Sequence, residues 1–178
     1  MQECMEHASR TTDDPPILAY LHDCIRGVDH VAIAVVDLDE SIDWYTQKLG
    51  FKCLERRATH GQRTSMVSAV LAAGSAHIVL VQGTSPESQV SQFITHFGPG
   101  VQHLALAVKD LDQAMDRVTQ AGGSADTPPI SDEGIRQVFL RRDPGSGVRI
   151  ELIERRGGVF TDKSVEELFR TFETHGLY

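Results

Sequence analysis

Two stretches of this 178-residue chain are near copies of one another. Gly27–Gly50 (GVDHVAIAVVDLDESIDWYTQKLG) aligns without a gap on Gly100–Gly123 (GVQHLALAVKDLDQAMDRVTQAGG), at an offset of 73 residues, and 13 of the 24 positions are identical. Self-similarity at a fixed spacing means that one supersecondary unit has been used twice, each copy needing the other to bury its apolar face. Both copies place a histidine at the same point, His30 and His103.

Each copy opens with period-two alternation, the signature of a strand. His30, Ala32 and Ala34 share one face, as do His103, Ala105 and Ala107. Asp37 and Asp110 then stand just before apolar residues at helical spacing (Leu38, Ile42, Tyr45, Leu49; Leu111, Met115, Val118), where an aspartate caps a helix N-terminus. Gly50 and Gly122-Gly123 end those helices. Strand patterns return at 51–58, 64–72 and 76–82, and in the second copy at 123–126, 134–141 and 148–155, with turn residues at Gly74-Ser75 and in 143–147. A helix at 88–97 bridges the copies, another is expected at 16–25, and a C-terminal helix at 164–174. The expected fold is therefore α+β: two tandem βαβββ modules pairing into one curved sheet cup, with a C-terminal helix. The corresponding division is an N-terminal extension (1–26), a first module with the bridging helix (27–97), a second module (98–156) and the C-terminal helix (157–178).

The formal charge of −8 argues against a nucleic-acid binder, which needs a basic face. No window is long and apolar enough for a membrane span, and the polar start MQECMEHASRTTDD lacks a signal-peptide pattern. Cys4, Cys24 and Cys53 have no metal-ligand spacing and read as free thiols of a reducing compartment. The expectation is a cytoplasmic protein with no membrane or nucleic-acid partner.

The duplicated histidines point to a metal. Aligning the last strands of the two copies (76–81 on 148–153) sets Val79 against Glu151. Glu151 lies between Ile150 and Leu152, and a carboxylate on the inner face of a buried strand is costly unless paired or metal-bound. Two histidines and one carboxylate with open positions form the facial triad of non-haem Fe(II) oxygenases, although zinc or manganese fits these ligands in part. His77, two residues from Val79, is a further candidate ligand.

The repeated phrases VDHVAIAV…DLDESIDWYTQKLGF and GVQHLALAV…DLDQAMD resemble the vicinal oxygen chelate superfamily. Within it, SQVSQFI (88–94), GPGVQH (98–103), QVF (137–139), IELIER (150–155), and Phe160 with Glu167-Leu168-Phe169 resemble the catalytic half of the 4-hydroxyphenylpyruvate dioxygenase and hydroxymandelate synthase family. The resemblance implies that His30, His103 and Glu151 hold Fe(II), that Gln89 and Gln137 are catalytic residues that hydrogen-bond the substrate, and that Phe139, Phe160, Val165 and Phe169 line its pocket. It implies oxidative decarboxylation and hydroxylation of a 2-oxo acid by O2. Val165 stands where the family carries a phenylalanine, which leaves open whether the substrate is an aryl- or an alkyl-pyruvate. The family's extra non-catalytic domain is missing from this sequence, which leads us to expect a homodimer. The alternatives are a methylmalonyl-CoA epimerase-like or an extradiol-type metalloenzyme of the same superfamily.

Overall fold

The computed structural model describes residues 20–132, 134–158 and 161–177. In chain order it consists of β1 (Ile25–Ala34), α1 (Leu38–Leu49), β2 (Lys52–His60), β3 (Ser65–Ala73), β4 (Ala76–Gly83), α2 (Gln89–Phe97), β5 (Gly100–Val108), α3 (Leu111–Gln120), β6 (Ile130–Asp132), β7 (Ile135–Phe139), β8 (Arg149–Arg155) and α4 (Asp162–His175). The strands form one curled sheet in the order β2-β3-β4-β1-β5-β8-β7-β6. The order reads the same from either edge, because each module contributes four strands and β1 pairs antiparallel with β5 at the centre.

The repeat is visible in detail. Asp37 and Asp110 accept hydrogen bonds from the amides of Glu40 (2.9 Å) and Gln113 (3.0 Å), as capping aspartates do. The amides of Leu38 and Leu111 donate to Gln82 (2.8 Å) and Glu154 (3.0 Å), which come from the matched strands β4 and β8. Gly50 ends α1 with φ +73°, a conformation that favours glycine. Helices α1 and α3 pack on the outer face of the sheet, α1 over Ala69, Leu71 and Leu80, and α3 over Val138 and Leu152. The inner face is roofed by α2 and α4, with Val90, Phe93 and Phe169 packed on Ala34, Met66 and Val81. Helix α4 also touches both edge strands, β2 and β6, and so shields the edges that an open sheet leaves unpaired.

Two expectations need correction. The strand expected at 123–126 is only an isolated bridge, Ala125 to Leu140, and the edge strand β6 forms instead at Ile130–Asp132. Pro128-Pro129 between them carry no N–H to donate, so the edge is broken in two and β7 is shorter than the 134–141 read from pattern. At the N-terminus, Leu21–Asp23 form a single 3-10 turn and Ile25 already belongs to β1, so no helix runs to residue 25. Residues 16–19 of that expected helix lie outside the described residues.

Candidate metal centre

His30 pairs with Ala105 across the central β1–β5 ladder, and His103 pairs with Ala32. Ala105 also pairs with Glu151 on β8, while Ala32 pairs with Val79 on β4. Two symmetric rows therefore cross the middle of the sheet: His30–Ala105–Glu151 and His103–Ala32–Val79. Paired residues point to the same face, and the two alanines, both fully buried, leave space for the longer side chains to converge. The Nε2 atoms of His30 and His103 lie 3.3 Å apart. Glu151 Oε2 lies 3.5 Å from the first and 3.2 Å from the second. A point equidistant from the three atoms is about 1.9 Å from each, close to the ~2.0–2.2 Å at which such donors hold a divalent ion, so His30, His103 and Glu151 would hold one together. The donor set can hold a divalent ion, and Glu151 Oε1, buried without a hydrogen-bond partner, is a further sign that the group awaits a cation.

Both histidines are oriented from behind. The β1–β5 register slips three times; two of the slips, between Val28 and His30 and between Ala32/His103 and Ile33/Val101, flank the histidines and leave Asp29 and Gln102 out of the ladder. They occupy the same position of the repeat. A bulge breaks the strict alternation of faces, which lets the residue before each histidine reach that histidine's ring. Asp29 Oδ1 lies 2.8 Å from His30 Nδ1, and Gln102 Oε1 bonds His103 Nδ1. Each acceptor fixes the Nδ1–H tautomer and frees Nε2 for a metal. Arg155 clamps Asp29 with two hydrogen bonds of 2.6 and 2.8 Å. Burial pushes the Asp29 carboxyl up, but the hydrogen bonds from Arg155 and His30 outweigh it and hold the group well below the usual carboxylate range. Sequence reasoning passed over Asp29 and Gln102, although their shared place one residue before each histidine was a readable signal. Asp29→Asn is expected to weaken metal affinity by about 10–100-fold while leaving the fold intact, measured by competitive metal titration.

The electrostatics suit a cation. Burial, with help from Asp29, pushes the Glu151 carboxyl up to about 7, against the pull of His30 and Arg155. Burial, with Arg149 and Arg142 nearby, holds His103 down to about 3. The imidazole is thus neutral and ready to ligate across the ordinary range, whereas Glu151 must lose a proton to a metal below pH 7. Metal affinity is expected to fall about tenfold per pH unit below 7 and to be flat above it, with one proton released per ion on the acid side, checked by calorimetry in buffers of different ionisation heat.

Other candidate residues fall around this centre in distinct places. Gln137 is buried on β7, lines the roughly 90 Å³ cavity that all three ligands border, and has no hydrogen-bond partner for either amide atom among the described residues. Val165 borders the same cavity. Phe139 is fully buried, its ring edge-on to His103 with centroids 5.1 Å apart. Gln89 lies further off, its amide donating to the Phe169 carbonyl (3.2 Å), and Phe169 packs in the roof. His77 borders an opening beyond His30 rather than joining the three ligands. Phe160 is outside the described residues. Arg149, which shares the inner face with Glu151, is buried under Phe172 (5.5 Å to the ring) and paired with Asp126 at 3.3 Å.

Comparison with known proteins agrees with this architecture. Residues 27–152 match the glyoxalase/bleomycin resistance protein/dioxygenase superfamily. A 4-hydroxyphenylpyruvate dioxygenase-like protein of Rattus norvegicus is 26% identical over 93% of this chain and 43% of its own length. Proteins described as lactoylglutathione lyases match as well. The chain spans about two fifths of the length of the first curated relatives it matches. Among solved structures, methylmalonyl-CoA epimerase from Mycobacterium tuberculosis superimposes with a TM-score of 0.63 and 32% identity, over 74% of this chain and 89% of that one. A 4-hydroxymandelate synthase variant from Streptomyces coelicolor shares the fold, with a TM-score of 0.73 and 20% identity over 84% of this chain and 54% of that one. With two repeat-related modules, one continuous sheet and a family match across most of its length, the chain belongs to the glyoxalase/bleomycin resistance protein/dioxygenase superfamily.

Proposed function

We propose that the protein is a non-haem Fe(II) dioxygenase that oxidatively decarboxylates and hydroxylates a 2-oxo acid, an aryl- or alkyl-pyruvate, with O2. The observation that carries this reading is the asymmetry of a duplicated cup. Three of four symmetric inward positions bear ligand side chains, and the fourth is Val79. Two histidines and one carboxylate leave positions for a chelating substrate and for O2. Fe(II), when bound, supplies Lewis-acid and redox chemistry toward O2. The chain's own residues do the rest. Asp29 and Gln102 hold the imidazoles in the ligating tautomer. Gln137 offers an unengaged amide to a substrate oxygen inside the cavity. Val79, Val165 and Leu168 keep that cavity apolar and exclude water. The reaction balances as R–CH2–CO–COO⁻ plus O2 giving CO2, with one oxygen atom in the new carboxylate and the other in a hydroxyl group. A homodimer in the cytoplasm belongs to the same reading.

A second reading is an epimerase-like enzyme, favoured by the 32% identity to the mycobacterial epimerase, and a third an extradiol-type enzyme with the same three ligands and a catechol substrate. Val79 speaks against the epimerase, since it removes a fourth protein donor. The test is O2 consumption by anaerobically Fe(II)-loaded protein against aryl- and alkyl-pyruvates, with CO2 followed in parallel and Glu151→Ala as control. Coupled O2 uptake and CO2 release, absent in the variant, are expected. No uptake with any 2-oxo acid despite Fe(II) binding would sink the proposal and direct attention to catechols, then to epimerisation with Co(II).

A further inference from the structure

Two cavities approach the ligand triangle from different vertices. Beyond His30 lies an opening of about 360 Å³ bordered by Asp29, Glu55, His77 and Arg155 together with Val70 and Val79. Beside His103 lies a chamber of about 60 Å³, walled by Met66, Val81, Val90, Leu168, Phe169 and Phe172. This chamber shares Met66, Val81, Leu168 and His103 with the metal cavity. On its other side, Gln89 and Phe172 separate it from a cleft of about 470 Å³ that reaches Arg63 and the end of α4. The chamber therefore stands in line between the exterior and His103.

Its chemistry selects the guest. Its walls are largely apolar, and the polar groups beside it are already engaged: Gln89 Nε2 donates to the Phe169 carbonyl and Gln102 Oε1 bonds His103 Nδ1. A water there finds few partners, and apolar cavities stay dry and take up apolar guests such as xenon.

We propose that the apolar chamber beside His103 is a binding and transit site for O2, entered from the cleft between α2 and α4 past Phe172. The identity of the gas rests on the proposed function; the existence of an apolar gas site does not. Phe172 is the gate, held edge-on to Phe139 at 4.8 Å between centroids and over Arg149, so that rotation of one ring joins chamber and cleft.

Xenon-pressurised crystals of the metal-free protein test the site without turnover: one xenon in the chamber is expected, and none in Val90→Phe, which fills it. Val90 borders this chamber and not the metal cavity. In anaerobic Fe(II)-loaded protein, nitric oxide serves as an O2 surrogate. Val90→Phe is expected to slow its capture about tenfold, with Fe(II) content unchanged, and Val90→Ala not to slow it. A chamber that stays empty under xenon, or capture equally fast in Val90→Phe, would overturn the proposal and make the His30 opening the route for gas. Xenon in the chamber with no O2 uptake on any 2-oxo acid would instead overturn the dioxygenase reading and leave an apolar gas site standing.

Discussion

Glu151→Gln is expected to lower affinity for a divalent ion by more than ~100-fold, beyond the 10–100-fold loss typical of residues behind the ligands, and at the same time to make the metal-free protein more stable. The second half follows from burial. Glu151 is 1% exposed, and its Oε1 has no partner. A carboxyl pushed up to about 7 in the fold and near 4.5 in the unfolded chain binds more protons when folded. Its contribution to stability is then full below pH 4.5 and is lost as pH rises through about 7. An amide removes that loss, so the variant gains about 3 kcal/mol over the wild type above pH 7 and nothing near pH 4. Thermal melts at two pH values in the presence of a chelator measure it. A side chain whose removal stabilises the empty fold while abolishing ion binding is retained for function rather than for folding.

Glu173→Ala is expected to cost about 2 kcal/mol and to release the end of α4 from the sheet. The Glu173 carboxylate, from the last turns of α4, is buried in the loop between β2 and β3. It accepts hydrogen bonds from the amides of Gln62 (2.6 Å), Arg63 (3.3 Å) and Thr64 (2.8 Å) and from the Thr64 hydroxyl (2.6 Å). Consecutive main-chain N–H groups of this kind form an anion-holding concavity. Gly61 leaves room for it, since a Cβ there would lie 2.5 Å from the carboxylate. Burial pushes the Glu173 carboxyl up, but the donors from Thr64, Gln62 and Arg63 prevail and lower it. Its stabilisation is therefore complete above the ordinary glutamate value and is lost as pH falls through the lower folded one. Hydrogen exchange should show amides of α4 opening sooner in Glu173→Ala, and in Gly61→Ala by the same displacement. Unchanged exchange in both variants would show that α4 is held by its apolar face alone.

The repeat made the centre of the molecule legible. Gap-free alignment of two strands paired His30 with His103, and alignment of the last strands singled out Glu151 opposite Val79; the sheet brings these together because the modules pair about the β1–β5 ladder. Legibility ended where alternation fails. Asp29 and Gln102 turn toward the histidines through bulges, which period-two counting assigns to the wrong face. The edge strand forms at Ile130–Asp132, after two prolines that have no N–H to give to a ladder. The Glu173 contact spans about 110 residues of sequence and depends on loop amides, which carry no side-chain signature. Gln89, read from resemblance as a substrate contact, has its amide on an α4 carbonyl, a tertiary bond that local sequence does not encode.

The most direct test of the account is titration of the metal-free protein with Co(II), followed by absorption, in wild type, His30→Ala, His103→Ala and Glu151→Ala. The account predicts one ion per chain in the wild type, with affinity lost in each variant separately. No ion bound by the wild type, or variants that bind the ion as tightly as the wild type, would contradict a metal centre built from the two copies of the repeat.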